Sequence, residues 1–407
     1  MAKRAPLGVW LYGGRVAELT SGRPGQVVCR YSGEALERWP LNIPLLSCSL
    51  LLSARPRRDA GVFFRGMLPE GQHLQAMATE ANVATYDTFG LLARFGRDVA
   101  GAAVIAGTSA GERPGGVVPY SDEALDREVA GLEDRPLAIY DDSELSIAGL
   151  QNKMLLVADG TTWARPVGGH PSTHILKVED RRYPGMVTME ASCLALARAV
   201  GLTSVEAEVR RLGGADCIIV SRYDRKVGPE GKATRLHQED ACQALGRDPE
   251  AVHGQGKYQH AGGPALAEIA RLLDLYATDP IEELKHLVSA VTFNVCTGNA
   301  DAHGKNVSFL YEKPGQLRLA PLYDTVPTAL WPRLRTRAAM TINGQAELGG
   351  VMRADVVAEA RRWPLAPDVA QAVATTTAEG VLSALDATAV PAQLADFVRH
   401  RVTAFLA

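Results

Sequence analysis

Asp301 and Asn306 stand five residues apart in GNADAHGKN, Gly298 to Asn306, and Asp324 follows in PLYDTVP. A carboxylate that takes the proton of an attacking hydroxyl, with an amide oxygen and a second carboxylate to hold a hard cation, is what phosphoryl transfer asks of a protein. That reaction depends on positioning and charge neutralisation more than on covalent help. Asp and Asn also serve as turn residues that satisfy local backbone amides; three of them in this order favour the chemistry. Upstream, Lys177 in THILKV is followed by Glu190 on a helix, the order in which a strand lysine and a helix glutamate orient nucleotide phosphates. A solvated lysine and a surface glutamate is the plainer alternative. SIAGLQNK, Ser146 to Lys153, has one glycine and is neither a Walker A nor a GxGxxG loop. Its backbone amides could approach phosphates, with Lys153 adding charge, but a plain surface turn is the reading the segment favours by itself. IIVSRYDR, from Ile218, is an apolar strand breaking into polar residues, the profile of a hinge whose backbone could bond an adenine.

The elements that must hold these residues are legible. Asp279 as N-cap, Pro280 in the first turn and Glu282 completing a capping box open a helix with a stripe through Leu284, Leu287, Val288, Val291 and Val295, closed by Gly298. The candidate catalytic loop therefore leaves a helix end and enters a hairpin, NVSFLY and LRLAP around Glu312 to Gly315. THILKV alternates as a strand, Met189 to Val200 reads as a helix capped by Gly201, and strands follow near Val205 to Leu212 and Asp216 to Val220. GVWLYG, RVAEL and QVVCRY read as a small antiparallel sheet turning at Gly13-Gly14 and Ser21-Gly22. From Val351 the tail is helical, its last stripe Leu394, Phe397, Val398, Phe405 and Leu406. GTSAGERPGG, Gly107 to Gly116, is the clearest linker, and no repeat is found. Domains are expected at 1–107, 108–225 and 226–407.

At 407 residues, with 46% hydrophobic and 22% charged, the chain needs neither disulfides nor a structural metal for a core. Six cysteines without a CxxC pair suggest neither a zinc site nor a disulfide framework and read as buried small apolar residues. No apolar run reaches membrane-spanning length, so the expectation is a cytoplasmic protein with no membrane partner. A net charge of −3 excludes a generally basic nucleic-acid coat but hides asymmetry. Residues 1–60 hold nine basic against four acidic residues, 121–150 two against nine, and 331–362 six arginines against three acidic residues.

SIAGLQNK, PSTHILKVE, IIVSRYDR, LHQEDACQALG, GNADAHGKN and LAPLYDTVPT, in this order and at these separations, resemble the HipA family of bacterial serine/threonine kinase toxins over almost the whole chain. The resemblance implies an α+β, two-lobed protein-kinase-like fold with an N-terminal strand-rich subdomain and an all-helical C-terminal region. It implies ATP and Mg2+ as cofactors, Asp301 as catalytic base, and Asn306 and Asp324 as metal ligands. Nucleotide contacts would come from Ala148, Gly149, Leu150, Gln151, Asn152, Lys153, Lys177, His303 and Tyr323, with Ser221, Arg222 and Tyr223 as the hinge and Asp224 beside it. The family usually has an acidic residue where this chain has Ser221. Ser146 matches the autophosphorylation site, where the added charge of roughly −1.5 to −2 would repel ATP and act as an off-switch.

The same resemblance implies a HipB-like helix-turn-helix antitoxin, operator DNA reached through it, and an aminoacyl-tRNA synthetase, glutamate-tRNA ligase foremost, as the phosphorylated target. The arginines of 331–362 could add DNA phosphate contacts or be a solvated face. Two other functions are weighed: a small-molecule kinase, which fits the trio but would not need Ser146, and a transcriptional co-repressor with a dormant kinase site, against which the intact trio argues.

Overall fold

Tyr12 and Gly13 both take positive φ, 54° and 79°, and this turn folds β1 (Leu7–Leu11) back onto β2 (Gly14–Ser21) with Val9 opposite Ala17. The computed structural model describes residues 4–23, 25–108, 115–133, 152–160, 162–228 and 231–407. Its chain divides into two compact units, each assembled from separated segments: 1–178, 210–239 and 311–315 in the first; 179–209, 240–310 and 316–407 in the second.

In the first unit β3 (Val27–Tyr31) and β4 (Val104–Gly107) complete a four-stranded sheet of order β3-β2-β1-β4. The leading segment holds more than the strands expected there. Four short helices, α1 (Gly33–Arg38), α2 (Gly61–Gly66), α3 (Gly71–Glu80) and α4 (Thr88–Phe95), cover the sheet. Asp87 accepts the Gly90 N–H at 3.1 Å to start α4, and Phe89, Leu92 and Phe95 line its buried stripe. These side chains join Val9, Leu19, Phe63 and Phe64 in one core.

A second sheet has the order β5-β7-β6-β8-β10-β9, from β5 (Gly116–Pro119), β6 (Lys153–Asp159), β7 (Thr162–Val167), β8 (His174–Val178), β9 (Ala207–Leu212) and β10 (Ala215–Ser221). Its strand alternation divides two cores: Leu155 faces the leading subdomain, whereas Met154 and Leu156 pack with Leu125 and Val129 of α5 (Asp122–Ala130). The short strands β11 (Arg225–Val227) and β12 (Ala233–Arg235) pair as a hairpin, and β13 (Gln238–Asp240) follows.

The second unit is built around α10 (Pro280–Thr297). Asp279 accepts the Glu282 N–H at 3.2 Å and Gly298 ends the helix at φ 76°, as the cap residues predict. The capping box is corrected: the Glu282 carboxylate lies 2.6 Å from Lys285 Nζ, one turn on. Before α10 come α6 (Met186–Ala199), α7 (Ala241–Ala244), the single turn α8 (Ala251–Gly254) and α9 (Leu266–Tyr276). After it come the hairpin β14 (Ser308–Lys313) and β15 (Gln316–Leu319), then β16 (Arg337–Ile342) paired with β17 (Gln345–Glu347). The end of the chain is helical: α11 (Arg353–Ala360), α12 (Pro367–Ala387) and α13 (Ala392–Leu406). α9, α11, α12 and α13 all pack on α10, which buries Leu284, Leu287, Val288 and Val295 among them. Among the described residues no helix is long and apolar enough to cross a membrane, and no disulfide or cluster of metal-ligating His, Cys, Asp or Glu is present. Five cysteines are buried as expected; Cys48 is half-buried.

Candidate catalytic loop and nucleotide strands

Gly298 turns the chain out of α10 into the loop that carries Asp301. Within the second unit the Asp301 side chain is 39% exposed, and the loop ties itself around it. Asn306 Nδ2 donates to the Asp301 carbonyl at 3.1 Å, the His303 N–H donates to the same carbonyl at 2.7 Å, and the Asp301 N–H goes to Asn299 Oδ1 at 3.1 Å. This use of Nδ2 leaves the Asn306 side chain its amide oxygen Oδ1 as the donor atom for a cation. Asp324 has φ 53°, a left-handed backbone that costs a non-glycine residue strain and concentrates at functional positions. Asn306 and Asp324 supply hard oxygen donors only, a set suited to Mg2+, which keeps part of its coordination for phosphate and water. Tyr323 bridges the loop's exit, donating to the Lys305 carbonyl at 2.6 Å with Ser308 Oγ also at 2.6 Å.

Lys305, Asp240 and Tyr258 bind this loop together, and none of them is among the site residues expected from the sequence. The buried Lys305 ammonium lies 3.0 Å from Asp240 Oδ2, and Asp240 also caps α7 through the Gln243 N–H at 2.8 Å. The Ala241 N–H donates to the Gly304 and Val307 carbonyls, so α7 and the loop are stitched together. Tyr258 donates its hydroxyl to Asp301 Oδ1 at 2.8 Å across 43 positions of sequence. LHQEDACQALG could point to Asp240, since D-x-x-Q is a capping-box pattern; nothing in the sequence points to Tyr258.

In the first unit Lys177 lies on β8, half-buried, directly opposite Lys153 of β6. Lys153 is corrected from a turn residue to the buried first residue of a strand, because its side of the chain pairs with β8. Opposed residues of an antiparallel pair point to one face about 5 Å apart. Asn152 accepts the Val178 N–H at 2.9 Å, extending this pairing. Glu190 is buried on α6. Ser146, Ala148, Gly149, Leu150 and Gln151 lie outside the described residues.

At the expected hinge, Arg222 is tied into the first unit. Its backbone N–H donates to Thr173 at 2.9 Å, its carbonyl accepts the Arg225 N–H at 3.2 Å, and its guanidinium is wholly buried, forked onto Asp224 at 2.9 and 2.8 Å. The Arg222 side chain therefore serves the interior of the first unit. Arg225 reaches Asp98 at 2.8 Å and Asp224 at 2.9 Å, and Asp224 accepts the Gly101 N–H at 2.7 Å. Burial would raise both carboxyls, but Arg225 and Arg222 hold Asp98 and Asp224 below the usual range. Ser221 ends β10 opposite His174, and the Tyr223 hydroxyl bonds Gln238 Oε1 at 2.9 Å.

Comparison with known proteins gives a consistent answer. The family profile for a HipA N-terminal domain matches residues 7–106, and that for a HipA-like C-terminal domain matches residues 145–388. Y4mE of Sinorhizobium fredii, whose name assigns it provisionally to the kinases, is 38% identical over 354 residues, 84% of this chain and 82% of that protein. The serine/threonine-protein kinase toxin HipA of Shewanella oneidensis is 30% identical over 294 residues, 70% of this chain and 66% of that one. In structure, a chain of the HipA, HipB and operator DNA complex of Shewanella oneidensis matches with TM-score 0.80 at 25% identity, covering 98% of this chain and 96% of that chain. With the two domain profiles in order and a relative of this identity over most of its length, the chain belongs to the HipA family.

Proposed function

We propose that the chain is an ATP- and Mg2+-dependent serine/threonine protein kinase and the toxin of a toxin-antitoxin pair. The observation that carries this is the fold-back of Asn306 onto Asp301: it leaves a half-exposed carboxylate to accept a hydroxyl proton and an amide oxygen, with Asp324, to hold magnesium. Bound magnesium would neutralise charge on the transferring phosphoryl group. Lys153 and Lys177, opposed on β6 and β8, supply cationic charge for nucleotide phosphates, and His303 and Tyr323 shape the catalytic loop. Ser221, Arg222 and Tyr223 are the hinge positions, and the segment 148–153 would complete the phosphate contacts.

The acceptor is an aminoacyl-tRNA synthetase, glutamate-tRNA ligase first, whose modification arrests translation and growth. Ser146 is the self-modified off-switch. A HipB-like antitoxin with operator DNA is the partner assembly, of the kind that the matched Shewanella HipA forms with HipB and its operator. DNA contact through the arginines of 331–362 is not needed for this reading: Arg337 lies 3.5 Å from Glu347, Arg362 3.3 Å from Glu359, and Arg353 3.2 Å from Thr375.

The test is incubation of the purified chain with γ-labelled ATP, Mg2+ and each synthetase in turn. Label on one synthetase and on Ser146 is expected, and Asp301→Ala should remove both along with growth arrest, a loss of about 10²- to 10⁴-fold. Label on Ser146 with none on any synthetase would reject the target alone. Toxicity surviving Asp301→Ala would reject catalysis as its cause.

A further inference from the structure

Tyr258 sits in GQGKYQH, a segment that the two faces of the second unit grip from opposite sides. Its backbone is held by Gln255, whose carbonyl accepts the Tyr258 N–H at 2.9 Å, and by the Ala261 and Gly263 N–H groups, which donate to the Tyr258 carbonyl at 3.0 and 2.9 Å. On one side the Gly304 N–H of the catalytic loop donates to the Lys257 carbonyl at 3.1 Å. On the other, Gln259 Oε1 accepts from the Thr341 N–H of β16 at 2.7 Å. Two glycines make this path possible: a Cβ at Gly256 would stand 2.0 Å from the Asp248 carbonyl oxygen, and one at Gly263 2.6 Å from Lys257 backbone carbon.

The ring is gripped as firmly as the backbone. The Arg335 guanidinium lies 4.0 Å from its centroid, and the His303 ring meets it edge to face at 5.3 Å. The hydroxyl at the far end then donates to Asp301 Oδ1. Asp301 Oδ2 is left on the side of His303 Nε2, at 3.9 Å. A carboxylate with one oxygen held by a rigid donor has lost most of its rotational freedom, which is what a proton acceptor must lose before an alcohol can be aligned with it.

We propose that Tyr258 is a positioning residue for the transfer reaction, holding Asp301 Oδ1 so that Oδ2 meets the acceptor hydroxyl, with Arg335 as the clamp that holds the Tyr258 ring. This rests on the reading of Asp301 as the proton acceptor. It also assigns Arg335, within the arginine-rich segment, to the catalytic loop instead of to DNA.

The experiment uses the full chain, Mg2+ and γ-labelled ATP, and reads the maximal rate of phosphate transfer to the chain itself and to water, with the ATP concentration at half-saturation. Tyr258→Phe, which removes one oxygen, should lower the maximal rate about tenfold, the size of one hydrogen bond to a charged group, with half-saturation by ATP moved less than about twofold. Arg335→Ala should produce a comparable fall, and Arg335→Lys, which keeps a cation over the ring, should restore the rate to within about threefold of the parent. The Arg335 pair decides the matter if Tyr258→Phe does not fold. A Tyr258→Phe rate equal to the parent's overturns the proposal. So does a faster one, which would mean that the hydroxyl competes with the acceptor, and so does a change confined to ATP half-saturation. Asp301→Asn separates the two levels of inference. If it stays active, or if the parent transfers no phosphate at all, the proton-acceptor reading fails and the proposal with it. If it is inactive while Tyr258→Phe is unaffected, only the positioning role fails.

Discussion

Glu239 is a carboxylate whose charge the first unit resists. It is wholly buried, and although Tyr311 donates to it at 2.6 Å and the Cys48 N–H at 2.9 Å, burial pushes its carboxyl up to about 7. Ser47, Tyr12 and the His237 ring complete its surroundings, and burial drives His237 down to about 4. A group raised by folding contributes stability that is complete below its unfolded value of 4.5 and is lost as pH climbs through about 7. His237 acts in the opposite sense: its share is complete above 6.5 and is lost as pH falls through about 4. Glu239→Gln should therefore raise the melting temperature by several degrees at pH 8 and scarcely at pH 5, since a shift of this size is worth about 3 kcal/mol. Melting curves at the two pH values check it; an equal gain at both would trace the effect to packing instead of charge. At this scale the sequence told unevenly. Asp301, Asn306 and Asp324 could be read because their spacing lies within one loop and the strand pair that follows it. Tyr258 could not, because its role depends on the path of a glycine-hinged segment far from Asp301 in sequence.

At the scale of elements, the junction between α10, the catalytic loop and α7 is held by close approaches that leave no space for a methyl group. A Cβ at Gly304 would lie 2.5 Å from Pro264 Cγ and 2.8 Å from Cys242 Sγ. Gly304→Ala should push the loop off α7, lowering phosphate transfer more than it lowers stability, which a rate assay paired with thermal melting would show. The network of Asp98, Arg222, Asp224 and Arg225 fastens the loop before β4 to the end of β10. Arg222→Met removes the fork on Asp224 and leaves that buried carboxylate to Arg225 and the Gly101 N–H, so a loss of about 1.5–3 kcal/mol is expected by denaturant titration. Helix α10 was legible to the residue because its cap signals lie at both ends and its stripe, Leu284 to Val295, runs for about three turns. Helices α2, α3 and α4 were not, being too short to establish a period and lying in a segment whose strands dominate the pattern.

For the whole molecule, near-neutral charge conceals separate allocations: the opposed lysines of β6 and β8, and the arginines that follow Asp324, several of which are paired within their own unit. The sequence suggested consecutive spans, whereas each compact unit draws on distant stretches, because the pattern of strands and helices records local periodicity and not which segments return to the same core. That arrangement has a consequence for the order of events on the ribosome. The first unit includes residues 311–315, so Tyr311, which serves Glu239, emerges only after roughly three quarters of the chain has been made. Until then Tyr12, Cys48 and Glu239 wait around an incomplete polar cluster, and a product released early cannot finish its own beginning. A chain stopped at residue 305 should leave the segment around Glu239 open to protease, and protection should return when synthesis continues past 315.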